Sequence, residues 1–110
     1  MMTFNNPYWT PETKIDTLAR WIIIHSIIYY ELNESIVSDQ LFDSNSRLFV
    51  HLVDVNKEAF KRSYYYEIMK DFDGNTGFDL FHRLKQTNKL EANRLYGYAI
   101  HILKQGLSGR

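Results

Sequence analysis

Cysteine is absent from these 110 residues, which removes disulfides, thiolate nucleophiles and cysteine-ligated zinc from the chemistry open to the chain. Charge of a single sign is also lacking: thirteen basic and thirteen acidic side chains leave zero formal charge. That balance has no basic surplus of the kind that gains affinity for nucleic acid through counterion release, so a nucleic-acid partner is not expected. No apolar run approaches the ~20 residues of a membrane span. The start, MMTFNNPYWTPETK, does not follow the basic-then-apolar order of a signal peptide, and a cytoplasmic protein is expected.

What is plentiful is apolar and aromatic. Hydrophobic residues make up 45% of the chain, and eight Tyr, seven Phe and two Trp raise the aromatic share to 15%, which argues for a packed globule and against disorder. The length suits one small domain, burying about two-thirds of its unfolded surface. We read residues 1–110 as a single all-α domain of four or five helices, with a helix-turn-helix hairpin over 11–56 and a further helical part over 57–106.

Thr10-Pro11-Glu12 is a helix start, with a hydroxyl at the N-cap, a proline where its missing N–H costs nothing, and an acid in the first turn. From there positions 15, 18, 19, 22, 26 and 29, apolar but for Ser26, step by three and four, and Trp21, Ile24 and Ile28 fill a second stripe. The segment from Trp21 to Tyr30 is therefore apolar almost all round and should be the central helix. Asn33-Glu34-Ser35 ends it. Ser38 should cap a second helix whose buried positions are Leu41, Phe42, Leu48, Phe49, Leu52 and Val53. A helix is expected over Lys57 to Met69 and a glycine-shaped loop over 71–77, with Phe72 and Phe78 plugging that loop into the core. A short helix from Phe78 to Leu84 should follow, capped by Thr76 or Asp79. Thr87 or Asn88 then caps a last helix with Leu90, Leu95, Ala99, Ile102 and Leu103 facing inward, ended by Gln105-Gly106 ahead of a frayed tail.

The hairpin loop should bring Tyr29 and Tyr30, at the end of the first helix, close to Asp39, Phe42 and Asp43 at the start of the second. Two readings of these five residues stand side by side. Either the acids merely complement the positive end of a helix dipole beside ordinary boundary aromatics, or the group lines a small pocket. Aspartates four apart on one helix face repel each other, which a bound partner would offset. His25 lies one turn before Tyr29 and is placed to hydrogen-bond into the same pocket.

The order Tyr29-Tyr30, Asn33, Val37-Ser38-Asp39, Phe42-Asp43 resembles the N-terminal region, domain Ia, of bacterial NAD-dependent DNA ligases. The resemblance spans roughly residues 12 to 55. It implies that Tyr29, Tyr30, Asp39, Phe42 and Asp43 recognise the nicotinamide mononucleotide half of NAD by aromatic stacking and acidic contacts to ribose and ring. Phe42 stands where the family has tyrosine, so stacking is kept while a phenolic hydrogen bond is not. The whole chain is more similar to small ligase-related proteins of phages and prophages, which pair a His-Ser-x-x-Tyr-Tyr helix with a Phe-Asp-Gly-x-Thr-Gly-Phe loop, as His25 to Tyr30 and Phe72 to Phe78 do here. A phage-encoded protein would work in the host cytoplasm.

Other motifs carry less. The ligase family's adenylation needs a Lys-x-Asp-Gly motif, whereas Lys70-Asp71-Phe72-Asp73-Gly74 is one residue too long, and 110 residues leave no room for a nucleotidyltransferase domain. Lys70 reads as a surface lysine and the protein as a non-enzyme. Asp71, Asp73 and Asn75 alternate as in a calcium loop, but Thr76 and His82 occupy the positions where that loop needs Gly and Glu, so no metal is expected. His51, His82 and His101 read as structural. Tyr64-Tyr65-Tyr66 beside Lys61 and Arg62 reads as core and boundary packing rather than a single-strand platform. The expectation is a binding protein with NMN, NAD or a related nucleotide as its ligand and no required cofactor. The alternative is an anti-defence or anti-CRISPR type inhibitor that binds a host protein and uses the hairpin as scaffold.

Overall fold

The computed structural model describes the backbone of residues 6–108 and the side chains of residues 6–106. Among these residues there are six α-helices and no strand: α1 (Pro11–Ser26), continued by a π-helical turn (Ile27–Glu31), α2 (Asp39–Val55), α3 (Lys57–Lys61), α4 (Tyr66–Met69), α5 (Leu80–Thr87) and α6 (Lys89–Ser108). The radius of gyration, 13.5 Å, is that of one compact domain of this length, about 13 Å. No helix is long and apolar enough to cross a membrane among the described residues.

Local signals set the helix starts. The Thr10 hydroxyl accepts from the Thr13 N–H at 3.2 Å, and the Ser38 hydroxyl accepts from the Leu41 N–H at 3.0 Å. At α6 the Asn88 side-chain oxygen accepts from the Glu91 N–H at 3.2 Å. Each satisfies one of the N–H groups a helix start leaves open. α1 then lies at the centre, with Ile15, Leu18, Ala19, Ile22, Ile23, Ile27 and Ile28 buried, and packs against α2, α3, α5 and α6. Phe49, Tyr65, Met69, Leu80, Leu84, Leu95 and Ala99 close over it.

Several expectations are corrected by contacts between distant parts of the chain. The helix foreseen over 57–69 is two short helices. Asp16 of α1 accepts from the Ser63 hydroxyl and, at 3.1 Å, from the Tyr64 N–H, which diverts the backbone between α3 and α4. α5 begins at Leu80 rather than Phe78. Asp79 precedes it without a side-chain cap bond, and Thr76 instead accepts from the Phe78 N–H at 3.2 Å. Phe72 does reach the core, 6.0 Å from Phe49, but Phe78 is 68% exposed and its ring stands perpendicular to that of Tyr30.

Leu90 is 84% exposed, because it sits five positions before Leu95 and so about 140° around the helix from the buried stripe. Leu41 is exposed as well, while Phe42, Leu48, Leu52 and Val53 are half-buried against the core. α6 does not stop at Gly106. There the helix passes so close to the hairpin loop that an added Cβ would lie 3.2 Å from Ile36 Cγ2. Of the tail expected to fray, residues 107–110, the first two continue α6 to Ser108, and 109–110 lie outside the described residues.

The three consecutive tyrosines part ways as packing requires. Tyr65 is buried, Tyr66 half-buried and Tyr64 exposed. The Tyr65 hydroxyl donates to Glu91 and accepts from Arg20 Nε at 3.1 Å, while Arg94 grips Glu91 through two bonds of 2.6 and 2.7 Å. This buried chain of polar groups fastens α1 and the α3–α4 segment to α6. Burial, with the Glu91 carboxylate, pushes the Tyr65 hydroxyl up to about 12, so it stays a donor at any ordinary pH.

Two glycines give opposite predictions. Gly97 lies mid-helix in α6 with open space where a Cβ would stand, so Gly97→Ala should raise unfolding free energy by about 0.5–1 kcal/mol in urea titration. At Gly77 a Cβ would fall 1.9 Å from the buried Ser26 hydroxyl, so Gly77→Ala should lower it by about 1–3 kcal/mol.

Candidate functional site

α1 leaves the core through its π-helical turn. The Leu32 N–H bonds to the Ile27 carbonyl at 3.1 Å, Asn33 takes the left-handed conformation (φ 55°), and the Glu34 N–H returns to the Ile28 carbonyl at 3.0 Å. Asparagine is one of the few residues that adopts this conformation readily, so Asn33 stops the helix as expected. The wider turn makes side chains fall behind the 3.6-residue phase. Ile27 and Ile28 therefore both face the core, and Tyr29, which even spacing places on the buried stripe, is 54% exposed.

Beside this turn lies an open cavity of about 300 Å³. Its wall is built from the end of α1 and the π-helical turn, the loop 34–38, the first turns of α2, and Asn75 of the glycine-containing loop. All six residues singled out in the sequence, His25, Tyr29, Tyr30, Asp39, Phe42 and Asp43, line it. The sequence reading did not foresee Ser26, Glu34 or Asn75, which line it too. Ser26 had a visible signal, a hydroxyl inside the apolar run Ile22 to Ile28. Asn75 had none, since only tertiary packing carries its loop to the hairpin.

The aromatic groups are held in different ways. Tyr30 meets Tyr29 edge-on, with centroids 4.8 Å apart, and meets Phe78 edge-on at 5.3 Å. Its hydroxyl shares a hydrogen bond of 2.8 Å with that of Thr76, which ties the hairpin to the 71–77 loop. Phe42 lies 6.0 Å from Trp21 at a shallow 30°, so one aromatic layer runs from the core to the cavity rim. Asp39 and Asp43 are exposed on one face of the first turns of α2, at the positive end of its dipole. A second depression shares Asp43 and Asn75 with the first and adds Arg47, Val50, Asp73 and Gly74.

The remaining candidates lie elsewhere. Lys70 is exposed and paired with Glu67 at 3.0 Å. Asp73 folds its carboxylate back onto Asn75, accepting from the backbone N–H at 3.0 Å and from the side-chain amide at 3.1 Å, as a turn-forming Asp does. Among the described residues no group of three His, Asp or Glu is placed to hold a metal ion.

His25 is only 8% exposed, with its ring 4.4 Å from that of Trp21. Burial lowers its pKa to about 4, so the imidazole is neutral at pH 7. The unfolded chain binds a proton near the ordinary value of about 6.5 while the folded one does not. His25 therefore contributes full stability above about pH 6.5, and this contribution falls as pH drops towards 4. The loss should be on the order of 3 kcal/mol, and His25→Gln should abolish that part of the acid sensitivity. Urea unfolding of both proteins at pH 7.5 and 4.5 isolates it as a difference of differences.

Compared with known protein families, with curated proteins and with solved structures, the chain matches none.

Proposed function

We propose that this is a non-enzymatic binding protein, of the kind phages and mobile elements encode, whose hairpin pocket takes nicotinamide mononucleotide, NAD or a related nucleotide. The observation that carries the reading is that six residues from two helices, selected by their spacing, line one cavity of about 300 Å³. That volume is at the lower end of small-molecule sites, about 300–1,000 Å³, and suits a ring with its sugar rather than a whole dinucleotide. Tyr29, Tyr30 and Phe42 offer apolar faces and edges for a planar ring. Asp39 and Asp43 offer acceptors for ribose hydroxyls and favourable charge for a pyridinium.

The supporting geometry has a division of labour. Tyr30 is fixed by Thr76 and Phe78, and Phe42 by Trp21, whereas the exposed Tyr29 is free to close over an incoming ring. Isothermal calorimetry with NMN and with NAD tests the reading. Both should release heat at up to millimolar ligand, and Asp43→Ala should weaken binding by about tenfold, the loss of one charge-assisted hydrogen bond. No heat from either ligand would rule the pocket out as a nucleotide site, and binding indifferent to Asp43→Ala would move it elsewhere.

A second reading, the host-protein inhibitor, draws on Tyr29 and Phe78. Both are exposed and flank Tyr30, the kind of aromatic surface that anchors protein interfaces. It predicts that a host protein is captured by wild type and lost with Phe78→Ser, in a protein that gives no heat with either nucleotide.

A further inference from the structure

The cavity of the nucleotide reading has places for a ring and for ribose hydroxyls, but none for a phosphate. Its acidic lining residues are Glu34, Asp39 and Asp43, and no lysine or arginine is among its described lining residues. A phosphomonoester carries about −1.5 to −2 charges at pH 7 and needs a cation. The second depression, of about 400 Å³, supplies one. It adjoins the first across Asp43 and Asn75, which line both, and its cation is Arg47 of α2.

Arg47 is exposed, and it differs from every other described arginine. Arg20 bonds to the Tyr65 hydroxyl at 3.1 Å, Arg62 to Glu12, Arg83 to Asp79 at 3.0 Å and Arg94 to Glu91 at 2.6 Å. Arg47 enters no ion pair or side-chain hydrogen bond among the described residues, although Asp43 lies one turn earlier on its helix and Asp73 lines the same depression. Both carboxylate oxygens of Asp73 are taken up by Asn75 instead. The guanidinium therefore keeps its N–H donors for an incoming acceptor. Its position also has the right register. Asp39, Asp43 and Arg47 follow at four-residue intervals, so they lie along one face of α2, each about 6 Å of helix rise from the next. Acid, acid, base is the order in which a mononucleotide laid along that face presents its cationic ring, its ribose and its phosphate.

We propose that Arg47 and the second depression form a phosphate subsite, which makes the pocket take a 5′-mononucleotide in preference to the nucleoside that lacks the phosphate. The inference rests on the nucleotide-binding reading and deepens it, since it adds an anion-binding end to a site whose first cavity is acidic. A guanidinium can give a phosphate two parallel N–H bonds, which an amide or a lone ammonium cannot match. The subsite is open to water and two aspartates line it, so solvent and salt screen the attraction. The preference is accordingly modest, about tenfold rather than that of a buried clamp.

The test compares NMN with nicotinamide riboside by calorimetry at pH 7.5, on wild type and on Arg47→Gln. The two ligands carry the same ring and ribose, so those contributions cancel in the ratio of affinities. Wild type should prefer NMN by about tenfold at low ionic strength, and the preference should shrink as salt is added. Arg47→Gln should bring NMN down to about the affinity of the riboside. Riboside binding should stay unchanged, which also shows that the variant is folded. Riboside binding as tight as that of NMN in wild type overturns the inference while leaving the ring and ribose part of the nucleotide reading intact. A preference that survives Arg47→Gln, or a loss shared equally by both ligands, overturns it in the same way. Failure of both ligands to bind wild type overturns the inference and the nucleotide reading together.

Discussion

Everything in this fold follows from the need to hide one helix. Between Leu18 and Ile28 only Arg20 and Trp21 escape full burial, and those two are half-buried. Each large aliphatic side chain removed from water contributes about 1.5–3 kcal/mol, so the segment cannot lie on a surface. The other helices are arranged accordingly, with α2, α3, α5 and α6 each against α1. Polar groups that had to enter this shell are tied to one another. Asp16 holds the break between α3 and α4, and Tyr65 links Arg20 to Glu91. These ties place the short helices, which are too brief to be stable by themselves.

The candidate site is a by-product of how the buried helix gets out. A helix continuing with regular pitch would carry Tyr29 into the core; the π-helical turn delivers it to the rim instead. The same exit leaves His25 and Ser26 buried at the edge of the opening rather than in the middle of the core. Buried polar groups lacking partners are rare in folded proteins, and the Ser26 hydroxyl, sealed beneath Gly77, is one of them.

Much of this was legible from the residues. Thr10, Ser38 and Asn88 act as caps for a reason contained in a few neighbouring positions, and the turn chemistry of residues 71–77 is equally local. The grouping of Tyr29, Tyr30, Asp39, Phe42 and Asp43 follows from two helix ends and the short loop between them. What escaped depends on partners far along the chain. The break after α3 is imposed by Asp16, more than forty residues earlier. Leu90 faces outward for a simpler reason, since its angular position on α6, and not its apolar character, decides its side of the helix. Phe78 was misread similarly: the loop that holds it is pinned through Thr76, not through the phenyl ring.

Three successive residues of that loop serve three different parts of the site. Asn75 forms part of the cavity wall, Thr76 holds the Tyr30 hydroxyl, and Gly77 covers Ser26. Surface loops usually accept insertions and deletions at little cost, because nothing depends on their register. Here one residue more or fewer would shift all three contacts at once, so this exposed loop is as constrained in length as a core strand. The pocket is thus not a property of the hairpin alone. A chain that kept residues 11–56 intact but altered the spacing between Phe72 and Phe78 would keep the aromatic and acidic side chains and lose the frame that aligns them.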